Sequence, residues 1–206
     1  MSTTRPSKIV CVGRNYLEHA KELGNDVPQE PLIFLKPPSS VVRGGDAIRL
    51  PEQSSQIEYE GEIGILIGRT LRHSAPADAV SAIAGIVAVN DVTARDLQRK
   101  DSQWARAKGF DTFCPIGEPG PAPNDLGTLT VVTRVNGGER QRGSASEMAF
   151  PIPDLLAYIS RIMTLEPGDV VATGTPAGVG TLKPGDEVEV EVLGVSRVRN
   201  PVKSGS

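Results

Sequence analysis

Short apolar runs separated by turn residues dominate the pattern of this chain. Four of the runs have the β-branched character of buried strands: KIVCVG (8–13), PLIFLKPP (31–38), IGILIG (63–68) and GIVAVNDV (85–92). Apolar and polar residues also alternate on both sides of Asn136-Gly137 in TLTVVTRVNGGERQRG, which predicts a β-hairpin. The pattern therefore predicts a chain built mainly of strands.

Helical periodicity is confined to a few segments. These are NYLEHAKELG (15–24), with Asn15 as cap and Gly24 as stop, ADAVSAIAG (77–85), TARDLQRKDSQWARAKG (93–109), interrupted near Asp101, and the amphipathic PIPDLLAYISRIMTL (151–165). In the last helix we expect one buried face made of Leu155, Leu156, Ile159, Ile162 and Met163. Near the C-terminus, LEPGDVV and LKPGDEV each predict a type II turn before a strand. Because strands and helices do not alternate regularly, the pattern excludes Rossmann and TIM-barrel folds and favours a mostly β domain with a few helices.

Composition narrows the class of protein without identifying it. The 206 residues suit one large domain or two small ones, and no linker marks a boundary. A net charge of −3 and an aromatic content of 4% argue against a nucleic-acid or membrane partner. No stretch has the pattern of a membrane span or a signal peptide. Cys11 and Cys114 are far apart, and we interpret them as buried thiols of a reducing compartment, so the expected location is cytoplasmic.

Two glutamates begin the IGILIG run. On a strand, Glu60 and Glu62 would lie on the same face, with a spacing that lets both carboxylates reach one cation. Gly61 would leave the opposite face bare and allow another part of the chain to approach closely. The alternative is a solvated strand end, and Glu58, which continues the alternation, favours that alternative.

A third acid, Asp91, follows the GIVAVN run where a buried strand opens into a polar turn. Three carboxylates without a histidine or cysteine cluster suit a hard cation, Mg²⁺ or Mn²⁺, with Ca²⁺ as a third option. The alternative role for Asp91 is a capping residue before Thr93.

Two further segments carry candidate polar groups. His19 and Glu22 are three residues apart and would share a helix face, where the carboxylate could orient an imidazole that moves protons. An exposed, charged helix is the alternative. The loop ATGTPAGVGT (172–181) is neither a P-loop nor a dinucleotide fingerprint. Its amides and Thr175 could hold a substrate carboxylate, or the segment is simply a tight loop.

Seven segments in series resemble the fumarylacetoacetate hydrolase family: CVGRNYLEHAKE, PLIFLKP, YEGEIGILIG, NDVTARDLQ, AKGFDTFCP, VNGGERQRG and LEPGDVVATGTPAGVG. The most similar branch is the short acylpyruvate hydrolase and oxaloacetate decarboxylase group. The resemblance implies an α+β, mostly β fold, a mixed β-sandwich roll with a few short helices. It also implies a homodimer. The match covers residues 8–200 as one catalytic domain, and the sequence at 1–7 and 201–206 predicts flexible tails.

The resemblance also implies roles for individual residues. Matching positions are Glu60, Glu62 and Asp91 for the metal, His19, Glu22 and Lys108 for catalysis, and Arg14, Arg95, Gln98 and Thr175 for the substrate. In relatives the segment that contains His19 closes as a lid. Gly61 departs from the acylpyruvate hydrolase pattern, where a bulkier apolar residue is common, so the substrate stays open.

The activity that the resemblance implies is metal-dependent cleavage of a C–C bond in 2-oxo or 2,4-dioxo acids through an enolate. Acylpyruvate hydrolysis is the preferred form, and oxaloacetate decarboxylation follows closely. The alternatives are an isomerase or decarboxylase of unsaturated dioic acids of the 2-hydroxyhepta-2,4-diene-1,7-dioate type, and a catalytically inactive 2-oxo-acid-binding domain. The intact His19–Glu22 pair and Lys108 argue against the inactive form.

Overall fold

The computed structural model describes residues 5–22 and 28–205. Strands in this part of the chain are β1 (Ile9–Gly13), β2 (Leu32–Lys36), β3 (Val41–Val42), β4 (Ile48–Leu50), β5 (Ile57–Tyr59), β6 (Gly61–Ile67), β7 (Ile83–Asn90), β8 (Thr93–Ala94), β9 (Cys114–Pro115), β10 (Thr130–Val135), β11 (Gly138–Ser144), β12 (Val170–Ala172), β13 (Gly180–Thr181), β14 (Glu187–Val192) and β15 (Ser196–Ser204). The α-helices are α1 (Leu17–Glu22), α2 (Pro76–Val80), α3 (Arg95–Lys100), α4 (Ala105–Lys108) and α5 (Ile152–Ile162). The predicted class, α+β and mostly β, is confirmed.

Two five-stranded sheets form the body of the fold. The first has the strand order β2-β1-β12-β6-β7, and the second has the order β11-β10-β14-β15-β4. Strands β6 and β7 of the first sheet pack on β10, β14 and β15 of the second. The aliphatic side chains between the sheets include Ile63, Ile65, Ile86, Val131, Val190 and Val198, all buried. This arrangement is the sandwich that the mixed β-roll prediction requires.

Helix α5 covers one side of this core. Leu155, Leu156 and Ile159 are fully buried in it, as the 3.6-residue periodicity predicts. Ile162 was expected on the same face, but 54% of its surface is exposed. The prediction was wrong there because α5 ends at Ile162 and the next residue, Met163, has an extended backbone, so that Met163 and not Ile162 packs against the core.

Turn chemistry follows the sequence closely. Asn136 and Gly137 both have positive φ, 53° and 79°, as the turn of a two-residue hairpin between β10 and β11 requires. Gly168 and Gly185 have φ of 93° and 94°, the conformation that a type II turn needs at its third position. The Pro-Gly-Asp segments therefore make the predicted turns.

The tails differ from the expected boundaries. Residues 201–204 belong to β15, which pairs in parallel with β4, so this part is an ordered strand and not a tail. At the other end, the backbone amide and hydroxyl of Ser7 both donate to Asp169 Oδ1, at 3.0 and 2.7 Å. The predicted stop at Gly24 lies outside the described residues. No described helix has the length and apolar character of a membrane span.

Candidate metal and active site

The three candidate carboxylates meet where β5, β6 and β7 come together. Glu60 interrupts the strand between β5 and β6, and Asp91 directly follows β7. The backbone carbonyl of Glu60 accepts a hydrogen bond of 2.8 Å from the Asp91 amide. The Glu60 amide donates to Asn90 Oδ1 at 3.0 Å. One carboxylate oxygen from each of Glu60, Glu62 and Asp91 lies within 4.8 Å of the others, and all three residues are buried.

Gly61 lies between the two glutamates and faces the other way. A Cβ on Gly61 would overlap the Thr133 hydroxyl and crowd Val190, both on the second sheet. Its amide donates to Gln141 Oε1 at 3.0 Å. The expected close approach at the bare face is therefore made by Thr133. Because a side chain at position 61 would face the sandwich core, it would not contact a ligand beside the carboxylates.

Basic groups surround the carboxylates. Lys108 Nζ lies 2.7 Å from Glu60 Oε2 and 2.6 Å from Asp91 Oδ2, and Lys36 Nζ lies 2.7 Å from Asp91 Oδ1. Arg95 Nε donates to Glu58 Oε2 at 2.8 Å, and the same guanidinium pairs with Glu60. The solvated strand end considered above is therefore wrong, because even Glu58 is buried against an arginine.

Glu62 differs from the other acids because no lysine or arginine of the described residues forms an ion pair with it. Its Oε2 accepts a 2.8 Å hydrogen bond from the Gly174 amide. Burial, together with the Asp91 and Glu60 carboxylates, raises the pKa of Glu62 well above its ordinary value. At Glu60, burial acts in the same direction, but Lys108 and Arg95 outweigh it and hold that pKa well below the usual range. Among the buried groups of this site, four carboxylates (Glu58, Glu60, Glu62 and Asp91) face three cations (Lys36, Arg95 and Lys108), so a bound cation would supply the missing positive charge.

Lys108 is a buried ammonium and not a surface lysine. Burial favours its neutral form, but Asp91 and Glu60 outweigh burial and raise its pKa above the ordinary value. The Phe34 ring centroid lies 4.9 Å from Lys108 Nζ, and Trp104 packs edge-on against Phe34. Aromatic rings therefore line the site beside a permanent positive charge.

His19 lies on α1, and its side chain is buried. Its Nδ1 is 3.1 Å from Glu22 Oε2, and the Gly178 amide donates to both oxygens of Glu22 at 3.1 and 3.2 Å. A carboxylate oxygen only accepts, so Nδ1 carries the hydrogen and Nε2 is the nitrogen available for proton transfer. The exposed, charged helix considered as an alternative describes Leu17, Glu18 and Glu22 but not His19, which is only 5% exposed.

All ten site residues predicted from the sequence line one cavity of about 400 Å³. These residues differ in the hydrogen bonds that they form within the protein. The Arg95 guanidinium is bonded to Glu58, Glu60 and Gln98, so it orients other side chains. Arg14, with φ of 58°, has no hydrogen bond among residues 5–22 and 28–205. Contact of any of these residues with a substrate stays a prediction.

The glycine-rich loop serves the protein's own carboxylates. Its Gly174 and Gly178 amides are donors to Glu62 and Glu22, and the Thr175 hydroxyl donates to the Gly61 carbonyl at 2.9 Å. These groups were considered as a cradle for a substrate carboxylate. In this structure their hydrogens are donated to acceptors of the protein itself and not to a ligand.

Besides the aromatic Phe34 and Trp104, the site contains Lys36, Gln141 and Arg99, which were not predicted from the sequence. Lys36 ends β2 as the only charge of an apolar run, the same signal that identified Asp91 at the end of β7. Gln141 holds Gly61 and donates to Thr175 Oγ1 at 2.8 Å, but in the sequence it is one more polar residue of a hairpin. Arg99, next to Gln98, also lines the cavity.

Comparison with known proteins places these residues in a family. The model of the fumarylacetoacetate (FAA) hydrolase C-terminal domain matches residues 8–203. The chain is 44% identical to an oxaloacetate decarboxylase of Dictyostelium discoideum, over 91% of this chain and 89% of that protein. It is 41% identical to the oxaloacetate tautomerase YisK of Bacillus subtilis, over 96% and 70%. A solved structure described as 5-carboxymethyl-2-hydroxymuconate delta-isomerase from Mycobacterium smegmatis superposes with a TM-score of 0.90 at 43% identity, over 98% and 80%.

Proposed function

The chain belongs to the fumarylacetoacetate hydrolase family, and from that premise we propose that it is a divalent-metal-dependent enzyme acting on 2-oxo acids through an enolate. The observation that carries the proposal is Glu62, a buried carboxylate without a cationic partner among the described residues, beside Glu60 and Asp91. Two relatives named for oxaloacetate reactions support oxaloacetate as the first substrate to test.

Glu60, Glu62 and Asp91 would hold the metal. Three buried oxygen donors without sulfur or imidazole suit Mg²⁺ or Mn²⁺. Ca²⁺ also prefers oxygen donors and accepts a more flexible coordination geometry. Bound there, the ion supplies Lewis acidity at the 2-oxo group, where negative charge develops in the reaction. Its charge would also relieve the repulsion that raises the pKa of Glu62.

Lys108 supplies a second positive charge. Ion pairs with Asp91 and Glu60 favour its ammonium form, so we assign it an electrostatic role and not that of a Schiff-base nucleophile or general base. Its position between Glu60 and Asp91 and beside the cavity lets it stabilise the enolate electrostatically. In decarboxylation, the C3–C4 bond breaks, CO₂ leaves, and the electron pair is delocalised from C3 to the 2-oxo oxygen.

His19 moves the protons. With its Nδ1 hydrogen donated to Glu22, Nε2 is free to take a proton from C3 in tautomerisation or to return one to C3 after decarboxylation. The same nitrogen could activate water against the C4 carbonyl of an acylpyruvate, and this geometry favours acylpyruvate hydrolysis as the second candidate activity. Isomerisation of unsaturated dioic acids requires the same proton shuttle, and the similarity to the mycobacterial delta-isomerase structure supports it as a further alternative.

A substrate screen tests the proposal. Metal-stripped protein, reloaded with Mg²⁺ or Mn²⁺, would be given oxaloacetate, acetylpyruvate and 2-hydroxyhepta-2,4-diene-1,7-dioate, with ultraviolet absorbance and pyruvate release as readouts. We expect metal-dependent turnover of oxaloacetate. Binding of these acids without turnover of any would overturn the proposal in favour of an inactive binding domain.

The variant His19→Ala separates the reactions. Loss of a general base typically costs about 10²–10⁴-fold, so hydrolysis and tautomerisation should fall by that factor. Breaking the C3–C4 bond of oxaloacetate needs an electron sink and no base, so its rate should fall much less. Equal losses in all reactions, with metal affinity unchanged, would contradict the assignment of His19 as a base.

A further inference from the structure

We propose that Tyr59 and Gly178 are positioning residues, which together fix the Glu22 carboxylate and through it the tautomer and orientation of His19. Tyr59 holds Gly178, and the Gly178 amide holds Glu22. The part of this inference that concerns turnover rests on the proposed function, whereas the part that concerns the imidazole does not.

Helix α1 needs such support because of its length. A helix of six residues is not stable by itself in water, so contacts with the rest of the protein must fix it. The Gly178 amide makes one of these contacts, donating to both oxygens of Glu22, the last residue of α1. Because Glu22 Oε2 also accepts from His19 Nδ1, any shift of Gly178 moves the partner of the imidazole.

Gly178 is itself held in a conformation that few residues adopt. Its φ is +100°, and a Cβ would overlap the Arg140 carbonyl, so the position requires glycine. On its other side, the Tyr59 hydroxyl donates to the Gly178 carbonyl at 3.0 Å. A carbonyl oxygen only accepts, so the phenol is the donor in this contact.

Tyr59 connects this support to the carboxylate cluster. It is the residue before Glu60, and it pairs with Gly180 through β5 and β13. The loop between Gly174 and Gly180 therefore bonds to Glu62 at one end and to Glu22 near the other. The β5–β6 segment and this loop therefore connect the imidazole to Glu60 and Glu62.

The variant Tyr59→Phe removes the hydroxyl and keeps the ring. The matched control is Tyr158→Phe, a partly buried tyrosine packed against the main core away from the site. The chain has two histidines, so two-bond ¹H–¹⁵N spectra show signals from two imidazoles. The signals that disappear in His73→Gln belong to His73, and the remaining ones belong to His19. Spectra would be followed with pH to the alkaline plateau, in metal-free protein.

We expect wild-type His19 to be the Nδ1-protonated tautomer at that plateau. Tyr59→Phe should give a mixture of tautomers, and Tyr158→Phe should give the wild-type spectrum. In turnover, Tyr59→Phe should lower kcat of the base-dependent reaction about three- to tenfold with KM unchanged, the effect of one neutral hydrogen bond. An unchanged His19 spectrum in Tyr59→Phe would overturn the proposal.

Hydrogen exchange gives a second test that does not depend on Tyr59→Phe folding. In Glu22→Ala, which alters a partly exposed side chain, exchange of the Gly178 amide should accelerate by about tenfold or more, since its acceptor is gone. The control Glu52→Ala changes an exposed acid elsewhere. Equal exchange at Gly178 in both variants would refute the contact. If the wild-type protein turned over none of the 2-oxo acids, the proposed function would fail, but the conclusion about the His19 tautomer would still hold.

Discussion

Glu62 is the residue whose environment says most about the site. Each of its acidic neighbours, Glu58, Glu60 and Asp91, has a lysine or arginine against it, whereas Glu62 has a backbone amide. A buried carboxylate without a counter-charge is costly, and its raised pKa is the expected response.

Metal affinity should therefore depend on pH through Glu62. A raised pKa means that metal-free protein keeps this proton to higher pH than an ordinary glutamate does, and metal binding needs the ionised form. As pH falls through the raised pKa, protons compete and Mg²⁺ affinity falls; at higher pH the affinity reaches a plateau. Calorimetry in two buffers of different ionisation enthalpy should show proton release below the plateau. Affinity that does not change as pH is lowered from the plateau would contradict this assignment.

Lys108→Met should destabilise the metal-free protein. The variant leaves Glu60 and Asp91 short of a buried counter-charge, and breaking such a pair costs about 3–5 kcal/mol. Denaturant unfolding in EDTA measures the loss, with the exposed Lys203→Met as control. Mg²⁺ should recover more stability in Lys108→Met than in wild type, because the metal replaces the missing charge. Turnover should stay low even when Mg²⁺ is saturating, and wild-type stability in EDTA would contradict the ion pairs.

At the scale of elements, the carboxylates owe their arrangement to two strands that are nearly continuous. β5 and β6 are separated only by Glu60, and the break allows Glu60 and Glu62 to approach Asp91 together. Alternation along the sequence predicted the shared face. The break at Glu60, and the burial of Glu58 beside Arg95, depend on β8 and α3, whose position next to β5 the sequence pattern does not contain.

Gly61→Ala tests how closely this segment packs on the second sheet. The new methyl group would meet the Thr133 side chain, and overpacking of this kind costs about 1–3 kcal/mol. Removing the hydroxyl in Gly61→Ala/Thr133→Ala should recover part of the loss, measured by denaturant unfolding. Gly44→Ala is the control, since the nearest atom to its Cβ would be 3.9 Å away. Additive effects of the two substitutions would show that the residues do not touch.

At the scale of the whole molecule, the sequence predicted most of what local patterns encode. The hairpin at Asn136-Gly137, the Pro-Gly-Asp turns and helix α5 follow from residue types and periodicity alone. Residue patterns alone suggested the three carboxylates, the His19–Glu22 pair and Thr175. Lys108, Arg14, Arg95 and Gln98, and the assignment of all ten residues to one site, came from the family resemblance, because no spacing rule joins positions 19, 60, 91 and 108. Lys36 escaped both approaches, since β2 and β7 are the two edge strands of the first sheet, and the contact between Lys36 and Asp91 is visible only in the folded chain. The homodimer and the cytoplasmic location stay predictions.

Calorimetric titration of the metal-stripped protein with Mn²⁺ tests the central claim, that Glu60, Glu62 and Asp91 hold a divalent cation. Wild type and the exposed control Glu52→Gln should each bind one ion per chain. Glu62→Gln keeps the shape of the side chain and removes its charge, and it should bind at least about tenfold more weakly, as loss of a charged ligand predicts. Equal Mn²⁺ affinity in Glu62→Gln and wild type, or no binding by wild type, would contradict the account.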